Sequence, residues 1–248
     1  MPTFDSLPLS PPLLSNLADL GFESMTPVQA QALPHVLAGR DVLAQAKTGS
    51  GKTAAFGLGI ISALNLNSPE PQALVICPTR ELAEQVGQAL RELARAIPNV
   101  KILTLCGGTP EYFQETSLRH GAHIAVGTPG RLQRLLKRGL LNLNALRCLV
   151  LDEADRMLEM GFADAVKNIL SYAPAQRPPL LFSATFPEDI KALATDIQKD
   201  PVEVVVDTHH ETKTIQQFAV AVPGHTLDDK LPTLMKLLCH FRPATALV

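Results

Sequence analysis

The sequence predicts an α/β fold: a doubly wound, mostly parallel sheet with helices on both faces. Short β-branched and leucine-rich runs recur at Asp41–Ala46, Ala73–Cys77, Val100–Leu105, His123–Val126, Cys148–Leu151 and Leu180–Ser183, each bounded by Gly, Pro, Asp or Thr. Longer segments with helical spacing separate them. In Thr79–Ile97, for example, Leu82, Val86, Leu90, Leu93 and Ile97 fall on one face. Continuous apolar strands alternating with helices belong to a parallel sheet covered on both sides. Ligands of such a sheet sit beyond the C-terminal ends of its strands.

Composition sets the outer bounds. The chain has 248 residues, 46% of them hydrophobic, which is enough for one large domain or a domain plus part of another. Its net charge of −2 gives no hint of a nucleic-acid partner. No apolar run is long enough to span a bilayer, and Met1–Ser10 lacks the basic start and apolar stretch of a signal peptide. Cys77, Cys106, Cys148 and Cys239 have no metal-ligand spacing and read as buried free thiols, so a cytoplasmic location is expected. Charge is uneven along the chain: Thr116–Leu151 has no acid but carries Arg119, Arg131, Arg134, Lys137, Arg138 and Arg147. That stretch reads either as a solvated helix face or as a surface that meets phosphates.

The texture changes after Pro201–Asp207. Residues 208–214 read as a polar linker. Ile215–Val222, Leu227–Phe241 and Thr245–Val248 then read as strand, helix and strand, with Leu227, Leu231, Leu234, Leu238 and Phe241 on one side of the helix. A β–α–β opening cannot complete a core, so residues 215–248 are expected to be the truncated start of a second domain, following a first domain over 1–207.

Two local patterns carry chemistry. Ala46-Lys47-Thr48-Gly49-Ser50-Gly51-Lys52-Thr53 follows one strand and precedes the helical run Ala54–Leu64. Gly49 and Gly51 let the backbone curl so that N–H groups point inward at phosphate, where the helix N-terminus adds positive charge. Lys52 reaches the outer phosphates and the Thr53 hydroxyl suits Mg²⁺; Thr48 and Ser50 complete the loop. The first loop position, usually Gly, is Ala46. The second pattern is Asp152-Glu153-Ala154-Asp155 at the end of Leu149-Val150-Leu151. Asp152 at the tip of a hydrophobic strand suits Mg²⁺, in part through water, and Glu153 suits the polarisation of an attacking water.

With these residues in place the chain resembles the DEAD-box RNA helicases of superfamily 2. Supporting strings occur in family order: Gly21-Phe22-Glu23-Ser24-Met25-Thr26-Pro27-Val28-Gln29 as the Q motif, with Met25 where Pro is usual, Pro78-Thr79-Arg80-Glu81-Leu82-Ala83 as motif Ia, Gly107-Gly108 as the glycine doublet, Thr128-Pro129-Gly130-Arg131 as motif Ib and Ser183-Ala184-Thr185 as motif III. The resemblance implies a RecA-like P-loop domain that binds ATP and Mg²⁺. Within the family it is to the DbpA type, which implies work on ribosomal RNA during large-subunit assembly.

The same resemblance implies roles for particular residues. Phe22, backed by Phe4, would stack on adenine while Gln29 hydrogen-bonds its edge and Thr26 helps bind the nucleotide. Ser183 and Thr185 would bond toward Asp155 and couple the nucleotide to the RNA surface. Pro78, Thr79, Arg80, Gly107, Gly108, Thr128, Pro129, Gly130 and Arg131 would hold single-stranded RNA by its backbone, without reading bases. Motif Ib lies inside the acid-free stretch, which favours phosphate binding there. The family's second RecA-like domain brings Arg-Gly-Asp and His-Arg-Ile-Gly-Arg strings, and neither occurs here. This chain alone is therefore expected to bind adenine nucleotide, hydrolyse it weakly and unwind nothing. A P-loop ATPase of another kind and a non-catalytic RNA-binding module are the rival readings.

Overall fold

The computed structural model describes residues 2–175, 177–206, 218–222, 224 and 226–246. They fall in two compact units, Met1–Thr208 and His209–Val248. In the first unit the strands are β1 (Val42–Gln45), β2 (Ala73–Ile76), β3 (Ile102–Leu105), β4 (Ile124–Gly127), β5 (Cys148–Asp152), β6 (Pro179–Ser183) and β7 (Val202–Val205). The helices are α1 (Pro11–Asp19), α2 (Pro27–Leu37), α3 (Lys52–Ser62), α4 (Arg80–Leu93), α5 (Glu111–Arg119), α6 (Pro129–Lys137), α7 (Ala154–Glu159), α8 (Ala163–Leu170) and α9 (Glu188–Ile197). Every strand pair is parallel, in the order β3-β4-β2-β5-β6-β1-β7.

The six strands read from the sequence are all present, with ends shifted by no more than two residues. β7 is an addition. It is an edge strand of four residues in which only Val204 is buried, and Glu203 interrupts its valines. Its place beside β1 is fixed by backbone bonds such as Val202 N–H to Asp41 C=O, 2.8 Å.

Alternation along the strands builds a core on each face. Val150, Leu180 and Phe182 join Phe56, Val86 and Leu90 on one side; Leu149, Leu151 and Leu181 join Leu132, Leu135 and Ile169 on the other. On α4, Val86, Leu90 and Leu93 are buried as the spacing predicts, and the Thr79 side chain caps the helix by accepting from Leu82 N–H at 3.3 Å.

In the second unit, helix α10 (Leu227–Phe241) has the bounds read from the sequence, and Thr226 and Asp229 cap it reciprocally. Leu234 and Leu238 are half-buried, but Leu231 and Phe241 are exposed. Phe218–Val222 and Thr245–Ala246 form no strand, contrary to expectation: among the described residues no neighbouring strand offers them a ladder. Residues 215–217, 247–248 and the expected linker 208–214 lie outside the described residues. Exposure of α10 also corrects the reading of Cys239, which is exposed, whereas Cys77, Cys106 and Cys148 are buried free thiols. Burial alone pushes the Cys148 thiol up to about 12. Among the described residues no helix is long and apolar enough to cross a membrane.

Candidate functional site

The C-terminal ends of β1, β5 and β6, adjacent in the sheet, bring the two chemical patterns together. Ala46 is buried and its N–H donates to Ser183 C=O at 2.9 Å, extending the β1–β6 ladder. Its backbone is outside the left-handed region, so alanine serves where glycine is usual. The chain then turns through Gly49 and Gly51, at φ +83° and +89°. Gly51 caps α3, and a Cβ there would lie 2.6 Å from Gln29 Nε2 and 3.1 Å from Thr26 Oγ1. Both backbone conformation and space therefore demand glycine at Gly51.

Lys52, the first residue of α3, is buried with its ammonium 2.8 Å from Asp152 Oδ1 and 3.8 Å from Glu153 Oε1. The closer contact lacks hydrogen-bond direction: neither the ammonium nor either Asp152 oxygen has a hydrogen-bond partner. Burial pushes the Asp152 carboxyl up, and Lys52 pulls it partly back. Glu153 sits in the left-handed region at φ 53° and ψ 53°, a conformation costing about 1–3 kcal/mol. It is held there by the Thr48 hydroxyl, which donates to Oε1 at 2.6 Å, and by Arg156 at 3.8 Å from Oε2. Two buried acids face one buried base, and the further cation, Arg156, is solvent-exposed. Together with the unpartnered Asp152 Oδ2, this fits a hard, oxygen-seeking divalent cation, with the Thr53 hydroxyl as a further oxygen one residue along α3.

Asp155 joins β6 to α7. Its N–H donates to Ser183 Oγ at 3.2 Å, and its Oδ2 accepts from Thr185 N–H at 3.0 Å and Thr185 Oγ1 at 2.9 Å. On the far side of the loop, Phe22 is half-buried with its ring edge-on to the buried Phe4, centroids 6.0 Å apart. Gln29 is only 1% exposed. Its Oε1 accepts from Thr26 N–H at 2.9 Å, its N–H meets Thr26 Oγ1 at 3.5 Å, and its Nε2 donates to Gly51 C=O at 3.0 Å. Gln29 thus stitches the start of α2 to the phosphate loop. The sequence signal was available, because Thr-x-x-Gln before a helix is a capping box.

The residues expected at RNA gather elsewhere on the same unit. Pro78, Thr79, Arg80, Gly107, Gly108, Thr128, Gly130 and Arg131 line one open depression of about 640 Å³, and Pro129 starts α6 beside it. Gly108 is left-handed at φ +81° and abuts the Arg80 guanidinium, whereas side chains at Gly107 or Gly130 would meet open space. The arginines are already engaged. Arg80 pairs with Glu84 at 2.8 Å, and Arg131 donates to Gln114 Oε1 at 2.8 Å and Thr109 C=O at 3.1 Å.

Pairing also revises the acid-free stretch. Glu111 meets Arg134 at 2.8 Å and pairs with Arg138, while Glu115 meets Arg119 at 2.8 Å, so two acids just upstream offset part of that charge. The Glu115–Arg119 pair is an i,i+4 pair within α5, but sequence spacing did not disclose the Glu111 pairs because α5 and α6 meet only in the fold. Gln114 was missed for the same reason. It is buried, and its Nε2 donates to Cys106 C=O at 2.8 Å.

Comparison with known proteins converges on one family. DEAD/DEAH box helicase is the family that matches residues 26–193. The chain is 51% identical over 251 residues to the ATP-dependent RNA helicase DbpA of Escherichia coli, covering 100% of this chain and 54% of that protein. It is 46% identical over 211 residues to the ATP-dependent RNA helicase DeaD of the same organism, covering 85% of this chain and 34% of that protein. The chain thus spans about half the length of the first relative and about a third of the second.

Among solved structures, a DEAD box protein from the hyperthermophile Methanococcus jannaschii superposes with a TM-score of 0.79 at 37% identity, over 95% of this chain and 63% of that one. A variant of Saccharomyces cerevisiae Dbp5 bound to RNA and ADP BeF3 gives 0.76 at 31% identity, over 84% of this chain and 52% of that one. With the phosphate loop and the acidic strand end side by side on a parallel sheet, and a family match across most of it, the chain belongs to the DEAD/DEAH box helicases.

Proposed function

We propose that this chain is the ATP- and RNA-binding half of an ATP-dependent RNA helicase, acting in the cytoplasm on ribosomal RNA during large-subunit assembly. The observation that carries the nucleotide reading is the buried cluster of Lys52, Asp152 and Glu153, with the exposed Thr48 bonded to Glu153, beside the left-handed glycines of the phosphate loop. The ribosomal part rests on the resemblance to the DbpA type. On this reading residues 208–214 are a linker and residues 215–248 begin a second RecA-like domain.

In the proposed reaction the N–H groups of Thr48–Thr53 and the Lys52 ammonium hold the phosphates, so Lys52 must exchange Asp152 for a phosphate oxygen. Thr53 and Asp152 would hold Mg²⁺, in part through water, and the ion would supply neutralisation of charge on the outer phosphates. Glu153, positioned by Thr48, orients the attacking water and accepts its proton. Phe22 stacks on adenine, and Gln29 presents the remaining hydrogen of its amide and the remaining lone pair of its oxygen to the base edge. Asp155, Ser183 and Thr185 transmit the state of Asp152–Glu153 to β6. The depression lined by Arg80, Gly108 and Arg131 takes the RNA backbone; its arginines trade carboxylate and carbonyl partners for phosphate. Half of the RNA clamp belongs to the second domain, so binding by this chain alone is weak and best seen at low salt.

Titration with a fluorescent adenine nucleotide and its guanine counterpart tests the site. Adenine binds and guanine does not, and Gln29→Ala removes the difference. Equal binding of both bases by the unsubstituted chain would point to a P-loop ATPase of another kind.

A further inference from the structure

Tyr112 and Phe113 are 71% and 61% exposed, more than any other large hydrophobic side chain described in the first unit. They are neighbours in the first turn of α5, with ring centroids 5.8 Å apart and planes at 66°. Burying such rings is the ordinary outcome of folding, so two adjacent ones left in water call for a partner.

Their surroundings narrow the partner. Four residues upstream lies Gly108, in the wall of the depression, and the segment between is fastened to it. Arg131 grips Thr109 C=O and Gln114 Oε1, while Gln114 Nε2 is bonded to Cys106 C=O. The backbone on both sides of the rings is therefore tied to the depression. The adjacent acid does not repel a polyanion, because Glu111 is paired with Arg134, itself a wall of the depression, and with Arg138. A pair of adjacent exposed aromatic rings, next to a phosphate-sized surface edged with arginine, suits a base whose backbone lies in that surface. Two rings alone make a small apolar patch for a protein partner.

We propose that Tyr112 and Phe113 are a stacking platform for a base of single-stranded RNA as the strand leaves the depression, an inference that rests on the RNA reading of the depression itself. Stacking uses the π-face that every base shares, so the platform adds affinity and favours purines without reading sequence.

The chain contains no tryptophan, so Tyr112→Trp installs a single reporter. Titration with oligoadenylate at low salt should quench that tryptophan in step with the anisotropy of labelled RNA. Replacing both residues with alanine should weaken oligoadenylate binding roughly tenfold, and replacing both with leucine should weaken it as much, because leucine is apolar but cannot stack. The rings are exposed, so neither change threatens the fold. Full affinity in the alanine pair, full affinity in the leucine pair, or an unresponsive tryptophan at saturating RNA each overturns the platform while leaving RNA binding by the depression intact. Unchanged RNA affinity with altered self-association in the alanine pair would assign the rings to a protein contact instead. If the unsubstituted chain binds no oligoadenylate, the RNA reading fails and the platform with it.

Discussion

The end of the sheet proposed to bind nucleotide and the depression proposed to bind RNA use charge in opposite ways. At β1 and β5, Lys52, Asp152 and Glu153 are buried, and the Lys52–Asp152 contact is unsupported by directed hydrogen bonds. In the depression, Arg80 and Arg131 keep solvent access and hold well-directed bonds to Glu84, Gln114 and Thr109. The first arrangement is costly and poised for a ligand that brings its own charges. The second is cheap, and its ligand has to compete for partners that already satisfy the arginines. A buried pair broken on one side costs several kcal/mol, whereas an exposed pair is worth little.

The largest effect expected from this contrast is at Lys52. Lys52→Ala should lower adenine-nucleotide affinity by about a hundredfold, as for loss of a buried charge-assisted contact. It also leaves Asp152 buried without a cation. The Asp152 carboxyl is already raised above its unfolded value, and losing Lys52 raises it further. A raised folded value means that stability is fully present below the unfolded carboxylate range, near about pH 4, and is lost as pH rises through the folded value. Thermal melts across pH should therefore find the variant close to the unsubstituted chain at acid pH and progressively less stable toward neutrality. A deficit that is constant with pH would break the comparison.

A smaller and sharper contrast comes from two glycines. Gly51 is left-handed and pressed against Gln29 and Thr26, while Gly130 faces open space with an ordinary backbone. Gly51→Ala should cost about 1–3 kcal/mol in denaturant unfolding and weaken nucleotide binding. Gly130→Ala should change stability by no more than about 0.5 kcal/mol, as surface substitutions generally do. Equal effects would mean that the phosphate loop is no more constrained than the rim.

Much of this difference was legible beforehand. Strand ends, the Gly-Lys-Thr turn and the acids after Leu151 are local patterns, and local patterns survive in one dimension. Ser183, Thr185 and Asp155 were legible only as a set of strings whose bonding the fold supplies. What the sequence hid depends on packing between distant elements: Thr48 reaching Glu153, Gln114 reaching both Cys106 and Arg131, and Glu111 cancelling arginines more than twenty residues away. β7 is different: its valines, Val202 and Val204–Val206, are visible in the sequence, but its pairing with β1 at the sheet edge is supplied only by the fold. Cys239 was misplaced because helical periodicity says which residues share a face, not whether anything covers it.

On the proposed reading this chain binds adenine nucleotide but turns it over only weakly. The sequence contains neither Arg-Gly-Asp nor His-Arg-Ile-Gly-Arg, the strings that the DEAD-box resemblance assigns to a second RecA-like domain, and an arginine finger is worth about 10³–10⁵ in rate. Steady-state ATP hydrolysis, with and without single-stranded RNA, tests that claim most directly. Near-background rates in both conditions, from a chain that demonstrably binds adenine nucleotide, are the predicted result. Robust RNA-stimulated turnover would contradict the account and require the missing charges to come from this chain itself or from a second copy.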